Sequence, residues 1–196
     1  MNHPTTHRFN AVVIGGSAGA LEILNFILGE LPSDYFAPIM VCQHLHVSDN
    51  GHFARHLGAN LAVRVVEAWD KTAIQKGCVY TAPANYHLLV ERDDTLALTV
   101  DEKVRFSRPS IDVLFESAAY VYADALIAVL LSGASTDGTD GMRTIQQYGG
   151  VTIAQSAQTA IHSLMPKAAA DAGAASLVLS PKKIAEYLLS CERSEE

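Results

Sequence analysis

The 196-residue sequence has few cysteines, few charges and no long hydrophobic run. Its three cysteines, Cys42, Cys78 and Cys191, lie far apart without a C-x-x-C pair, which argues against a disulfide framework and predicts reduced thiols. No apolar run approaches the roughly 18 residues of a membrane-spanning helix, and no signal-peptide pattern precedes the first predicted strand. We therefore expect a cytoplasmic protein without membrane insertion.

Positive charge is also scarce. The chain has 14 Lys and Arg against 21 Asp and Glu, a formal net charge of -7. Because binding to a phosphate backbone requires a basic surface, nucleic acid is not an expected partner. The 49% of hydrophobic residues can build a full core, so we expect a single domain over residues 1–196.

Short β-branched segments alternate with helical patterns along most of the chain. Segments 11–14, 37–43 and 125–132 each precede a predicted helix, which is typical of a parallel sheet with crossover helices. Segment 77–100 differs, because its closely spaced strands and ERDDT turn predict an inserted antiparallel hairpin. The sequence thus indicates the α/β class, and the polar ERSEE end is expected to fray.

The stretch VVIGGSAGALEIL, residues 12–24, is compatible with two kinds of glycine-rich loop. A dinucleotide site would require an acidic residue at the end of the second strand, where this chain has Gln43 and His44. No cofactor is therefore predicted. The alternative is the G-x-S-x-G pattern of GGSAG, in which small neighbours expose Ser17 on a tight strand-to-helix turn as a nucleophile.

A serine nucleophile requires a base and a group that orients it. His44 follows the second strand, and Asp137 and Asp140 follow the strand at 125–132. Because the carboxyl ends of parallel strands meet at one rim, these side chains can converge on Ser17. From the residues alone, His162 stays open as the base, although His44 is favoured.

A third possibility is a metal site, because His44, His46, His52 and His56 lie within thirteen residues. Two of them have H-x-H spacing and two are separated by one helical turn. The dense histidine and aspartate run of di-zinc hydrolases is not reproduced. A zinc-dependent hydrolase is therefore an alternative, and no metal is predicted.

Several motifs in order resemble the catalytic domain of CheB-type protein-glutamate methylesterases, over about Val12 to Leu189. They are VVIGGSAGALEIL, QHLH, GCVYTAPANYHLLV, RPSIDVLFESAA, DGTDGM, GGVTIAQ and MPKAAADAG. The resemblance implies a three-layer αβα sandwich on a mainly parallel sheet, in agreement with the α/β pattern. It also implies a serine hydrolase that demethylates glutamate methyl esters on the cytoplasmic helices of chemotaxis receptors and deamidates certain glutamines.

The resemblance assigns the catalytic roles residue by residue. It implies Ser17 as nucleophile, His44 as base and Asp137 as the orienting carboxylate, and so selects His44 over His162 and Asp137 over Asp140. An Asp-containing triad of this kind acts through an acyl-enzyme.

The implied oxyanion and substrate pocket includes Ala18, Gly133 and Ala134. The family typically has L-T-G-M-G where this chain has LSGAS, which places Ala134 at the methionine and leaves a backbone donor in place. This departure keeps a non-catalytic binding module of a chemotaxis-like system open as an alternative. Ten residues precede the first predicted strand, so we expect no receiver domain. Arg105 and Arg108 are candidates either for contact with acidic substrate helices or for structural roles.

Overall fold

The computed structural model describes residues 8–193. Its helices are α1 (Leu21–Gly29), α2 (His52–Gly58), α3 (Ile111–Tyr122), α4 (Thr139–Gln147), α5 (Leu164–Asp171) and α6 (Pro181–Ser190), with a 3-10 turn at Ala123–Ala125. Its strands are β1 (Arg8–Phe9), β2 (Ala11–Gly16), β3 (Ile39–Gln43), β4 (Arg64–Glu67), β5 (Cys78–Thr81), β6 (His87–Val90), β7 (Leu96–Thr99), β8 (Leu126–Leu130), β9 (Val151–Gln155), β10 (Leu177–Leu179) and β11 (Glu192–Arg193).

Seven strands form one parallel sheet in the order β10-β9-β8-β2-β3-β5-β4. Every neighbouring pair in this sheet is parallel, and the crossovers are helical except between β4 and β5. Strands β6 and β7 form a separate antiparallel hairpin, with His87 opposite Thr99. The predicted parallel sheet and the predicted hairpin are both confirmed.

Both faces of the sheet are covered, which explains the uninterrupted apolar strands. On β2, Val12 and Ile14 pack with α1, α2 and α6, whereas Ala11 and Val13 face α3, α4 and α5. All six residues of β2 are buried. The three-layer αβα sandwich is therefore confirmed.

The chain changes direction in the sheet between β2 and β8. From β2 it proceeds to β3 on one side, and from β8 it proceeds to β9 on the other. The loops that follow two such strands diverge, and the crevice between them is where α/β proteins commonly bind ligands. The fold thereby places the loops after β2, β3 and β8 along one rim.

Two further observations concern the ends of the chain and membrane association. The expected fraying of ERSEE is wrong for Glu192 and Arg193, which pair in parallel with β1 through backbone groups that do not depend on side-chain polarity. Residues 194–196 lie outside the described residues. Within residues 8–193, no helix combines the length and the apolar character needed to span a bilayer.

Close packing of α3 on α4 makes a testable prediction about Gly141. A Cβ at this position would lie 2.6 Å from the Phe115 Cβ and 3.2 Å from the Asp112 backbone. Gly141→Ala should therefore lower the free energy of unfolding by about 1–3 kcal/mol. Gly29→Ala is the matched control, since its Cβ would meet nothing closer than 3.8 Å. It should be neutral or stabilise by up to about 1 kcal/mol. Urea unfolding of both variants tests this, and equal effects would contradict it.

Candidate active site

Ser17 lies on the turn that leads from β2 into α1, and both of its backbone polar groups are held by neighbouring loops. Its N–H donates to the Ser132 carbonyl at 2.9 Å, and its carbonyl accepts from Gln43 Nε2 at 2.8 Å. Ser132 follows β8, while Gln43 ends β3. The half-buried Ser17 is thus fixed between the two strands that flank β2.

Glycines let the loops around Ser17 approach each other. A Cβ on Gly16 would lie 2.6 Å from the Ala20 Cβ, and one on Gly133 would lie 3.0 Å from the Ser17 Cβ and 2.6 Å from Met165 Sδ. All three distances fall below or at the limit of the contacts that real Cβ atoms make. The glycine preceding Ser17 therefore has a steric reason in this structure, beyond the general preference of tight turns for glycine.

His44 follows β3 and lies between the serine loop and a buried carboxylate. Its backbone N–H donates to the Gly16 carbonyl at 3.1 Å, and its ring Nε2 lies 2.8 Å from Asp137 Oδ2. Among the described residues, no hydrogen bond joins the Ser17 hydroxyl to the His44 ring. Because Nε2 binds the carboxylate, Nδ1 is the ring nitrogen that remains for a serine. Such contacts often tighten only when substrate is bound.

Asp137 is fully buried and accepts hydrogen bonds from four donors. Oδ2 binds the His44 ring and the Ile111 N–H at 2.7 Å. Oδ1 accepts from the Ser110 hydroxyl at 2.9 Å and the Asp112 N–H at 3.0 Å. Burial by itself would raise the pKa of Asp137, but the hydrogen bonds from His44 and from the start of α3 outweigh it and lower that pKa. The site therefore contains a stable carboxylate anion at a helix N-terminus.

The neighbouring Asp112 caps α4, the helix that follows Asp137. Asp112 Oδ1 accepts from the Gly138 and Gly141 N–H groups, each at 2.8 Å, at the start of α4. Each carboxylate thus caps the helix that belongs to the other. Burial, with a contribution from the nearby Asp137 charge, raises the pKa of Asp112 to about 6. Sequence reasoning missed this residue, and its only local signal is an acidic residue in the first turn of α3.

His87 supports the same helix start from below. Its buried ring accepts from the Ser110 N–H through Nδ1 at 3.2 Å, and its Nε2 lies 3.1 Å from the Glu102 carbonyl. These partners fit a neutral ring that donates through Nε2. His87 therefore holds the residue whose hydroxyl reaches Asp137, which no sequence pattern indicated.

The two alternatives left open by the residues alone lie elsewhere. His162 contributes backbone groups, since its N–H donates to Ser132 Oγ at 2.9 Å and its carbonyl accepts from the Gly133 N–H at 2.9 Å. Asp140 is half exposed and pairs with Arg105 and Arg143. Neither side chain takes part in the contact between His44 and Asp137.

Of the three expected pocket residues, two present unpaired backbone donors. Ala18 and Ala134 are exposed, and within residues 8–193 their N–H groups have no hydrogen-bond acceptor. The Gly133 N–H is already bound to the His162 carbonyl, so this glycine contributes close approach to Ser17 rather than a free donor.

The histidines of the predicted metal alternative do not converge. The His46 Nδ1 binds the Ser48 hydroxyl at 2.7 Å, and the His52 and His56 rings stack on each other with centroids 6.3 Å apart. In the described part of the chain, no three His, Cys, Asp or Glu side chains are arranged to hold a metal ion. The zinc-dependent alternative therefore has no geometric support.

A hydroxyl, an imidazole and a buried carboxylate at one rim are the groups that proteins use to transfer an acyl group to water. The fold defines an α/β protein with a doubly wound αβα sheet, and these three groups at its rim are compatible with a hydrolase. The family model for CheB methylesterase matches residues 12–188, so the chain belongs to this family of carboxylic ester hydrolases, as the resemblance predicted.

Individual relatives agree with this assignment. A protein of Leptospira interrogans, provisionally named protein-glutamate methylesterase/protein-glutamine glutaminase, is 42% identical over 95% of this chain and 96% of its own length. A Clostridium acetobutylicum protein-glutamate methylesterase/protein-glutamine glutaminase is 34% identical over 98% of this chain, which spans 56% of that relative. The crystal structure of the Thermotoga maritima CheB methylesterase catalytic domain matches with a TM-score of 0.88 and 34% identity, covering 92% of this chain and 97% of that one.

The surroundings of Asp137 predict a pH-dependent loss of stability on substitution. Asp137→Asn should lower the free energy of unfolding at pH 7 by about 2–5 kcal/mol, because a buried anion with four donors is replaced by an amide. Since the folded pKa of Asp137 lies below its unfolded value, its stabilising contribution is present above about pH 4 and is lost as pH falls through the folded value. The difference between wild type and variant should therefore shrink below pH 4.

Urea unfolding at pH 7, 5 and 3.5 measures this difference. Asp140→Asn is the control in the same loop, and its exposed ion pairs should change stability by less than about 1 kcal/mol. A pH-independent difference for Asp137→Asn would show that the charge of the carboxylate is not what stabilises the fold.

Proposed function

We propose that this chain is a protein-glutamate methylesterase that hydrolyses glutamate methyl esters on the cytoplasmic helices of chemotaxis receptors, with Ser17, His44 and Asp137 as its catalytic triad. The observation that carries the proposal is the 2.8 Å contact between the His44 ring and the fully buried Asp137, at the rim where Ser17 leaves β2. Membership of the CheB methylesterase family and the names of the relatives support the substrate class.

In the first half of the reaction, His44 Nδ1 accepts the proton of the Ser17 hydroxyl while Oγ attacks the ester carbonyl carbon. The carbonyl π electrons move to oxygen and form a tetrahedral oxyanion. The unpaired N–H groups of Ala18 and Ala134 are the donors available to stabilise it. When the C–O bond to the methoxy group breaks, the protonated His44 returns its proton to that oxygen and methanol leaves.

The second half repeats the chemistry with water. His44 removes a proton from a water molecule whose oxygen attacks the acyl carbon. The C–O bond to Ser17 then breaks, and His44 returns the proton to Ser17 Oγ, which releases glutamate and the free hydroxyl. A glutamine amide would follow the same path with ammonia as the leaving group. The glutaminase part of the relatives' names supports this second activity.

Asp137 acts through His44 and never needs to accept a proton. Its lowered pKa keeps it anionic, so its charge stabilises the imidazolium that forms after Ser17 is deprotonated. The donors from α3 prevent the carboxylate from rotating, and this fixes the ring so that Nδ1 faces away from Asp137. The proposal places the reaction in the cytoplasm, where receptor signalling helices lie.

Methanol release from a methylated receptor cytoplasmic fragment tests the proposal. Ser17→Ala should reduce kcat by about three orders of magnitude or more, because the acyl-enzyme can no longer form. Ser190→Ala is the matched control, since this exposed serine lies on α6, on the sheet face opposite α3, and should keep full activity. A parallel reaction with a metal chelator should proceed unchanged.

Three outcomes would contradict the proposal. Full activity of folded Ser17→Ala would remove the serine from the mechanism, and inhibition by chelator would favour a metal-dependent hydrolase. Absence of methanol release by folded wild type would favour a binding module.

A further inference from the structure

A two-residue turn beside the candidate active site holds an aromatic side chain in solvent. Val104 and Ser107 exchange backbone hydrogen bonds, at 3.2 and 2.8 Å, around Arg105 and Phe106. Both central residues have left-handed φ angles, +48° and +65°, the pattern of a type I′ turn that normally selects asparagine and glycine. Neither asparagine nor glycine is present at these two positions. The side chain of Phe106 is 97% exposed. Folding and stability alone give no reason for a bulky apolar residue at this position.

The turn lies against the proposed catalytic base. A small cavity of about 100 Å³ is lined by His44, Leu45 and Val47 from the loop after β3, and by Lys103, Phe106, Ser107, Arg108 and Pro109 from the segment before α3. Val47 is itself 60% exposed. Leu45, Val47, Phe106 and Pro109 therefore form an apolar wall beside His44, while Lys103 and Arg108 complete the lining of the cavity. The cavity has room for a single side chain of a ligand.

The turn is anchored to residues at the starts of α3 and α4, next to Asp137. The Arg105 guanidinium binds Asp112 at 3.2 Å, Thr136 at 3.1 Å and Asp140. Asp112 in turn caps α4 beside Asp137. The turn that carries Phe106 is therefore anchored to the helix starts beside Asp137.

Arg108 anchors the other end of the turn. Its guanidinium binds the Asn85 side chain at 2.8 Å and the Asp101 carbonyl at 2.9 Å. Of the two roles considered from the sequence, the contacts of both arginines fit the structural one. The exposed residue that they position is Phe106.

We propose that Phe106, together with Val47, is a specificity-determining contact for the receptor helix that carries the ester. An apolar side chain of that helix, about one turn from the esterified glutamate, packs against the apolar wall of the cavity that includes Phe106 and Val47 while the ester reaches Ser17. Residues three or four apart share one face of a helix, so both groups can face the enzyme together. The cavity is continuous with His44, which makes the substrate its occupant. This inference rests on the proposed methylesterase function.

The test compares kcat and KM for a methylated receptor fragment with kcat/KM for a small ester, a methyl ester of N-acetylglutamate at its side chain. Phe106→Asn is the informative variant, because asparagine tolerates a left-handed φ and keeps the turn while removing the ring. The preference for the receptor fragment over the small ester should fall about tenfold or more, mainly through an increase in KM. Phe106→Tyr should restore most of this preference.

Trp69→Ala is the matched control, because Trp69 is 74% exposed and lines a different cavity beside β4. It should leave the preference unchanged. An unaltered KM for the receptor fragment in Phe106→Asn would overturn the inference while the methylesterase function stands. An equal loss on both substrates would also overturn it, since the turn would then act on His44 rather than on the helix. Failure of wild type to release methanol from the receptor fragment would overturn both.

Discussion

The exchange of caps between Asp112 and Asp137 is the interaction on which the rest of the site depends. Two buried carboxylates at adjacent helix starts repel each other, and the N–H groups at the starts of α3 and α4, together with His44, Ser110 and Arg105, make their burial tolerable. The first N–H groups of each helix lack intrahelical acceptors, and each buried carboxylate needs donors. The contacts between the two helix starts satisfy both requirements. Moving either helix would leave a buried carboxylate without donors. This energetic cost fixes the position of the loop after β8, and the Asp137 of that loop in turn orients the His44 ring.

The serine loop is held by a different kind of constraint. Around Ser17, close backbone approach replaces charge, with Gly16 and Gly133 removing the side chains that would separate the loops. The buried carboxylates and the glycine contacts both act on His44, whose backbone N–H binds the Gly16 carbonyl and whose ring binds Asp137. His44 therefore connects the buried charge of Asp137 to the loop of Ser17, which is positioned by steric fit. This separation leaves the Ser17 hydroxyl free to turn towards a substrate.

The inserted hairpin connects the start of α3 to the protein surface. Strands β6 and β7 pack on α3 and lead into the turn at Arg105, which is tied to Asp112. The buried His87 of β6 also supports the start of α3 through Ser110. A segment that interrupts the βα alternation thus connects the buried carboxylates to the exposed ring of Phe106. In the proposed enzyme, recognition of the receptor helix and chemistry on the ester share one rigid support.

The sequence by itself determined the layers of this protein, because short apolar strands that alternate with helical segments indicate a sheet covered by helices, and glycines indicate where loops approach each other. It also placed Ser17 and both candidate pairs of partners at one rim. It did not decide between His44 and His162, or between Asp137 and Asp140, without the family resemblance, since members of each pair have the same chemistry. Only the tertiary structure brings His44 to Asp137 across 93 positions in the chain. The sequence could not assign a role to Asp112 either, because that role depends on the start of α4 lying beside the start of α3 in the folded protein.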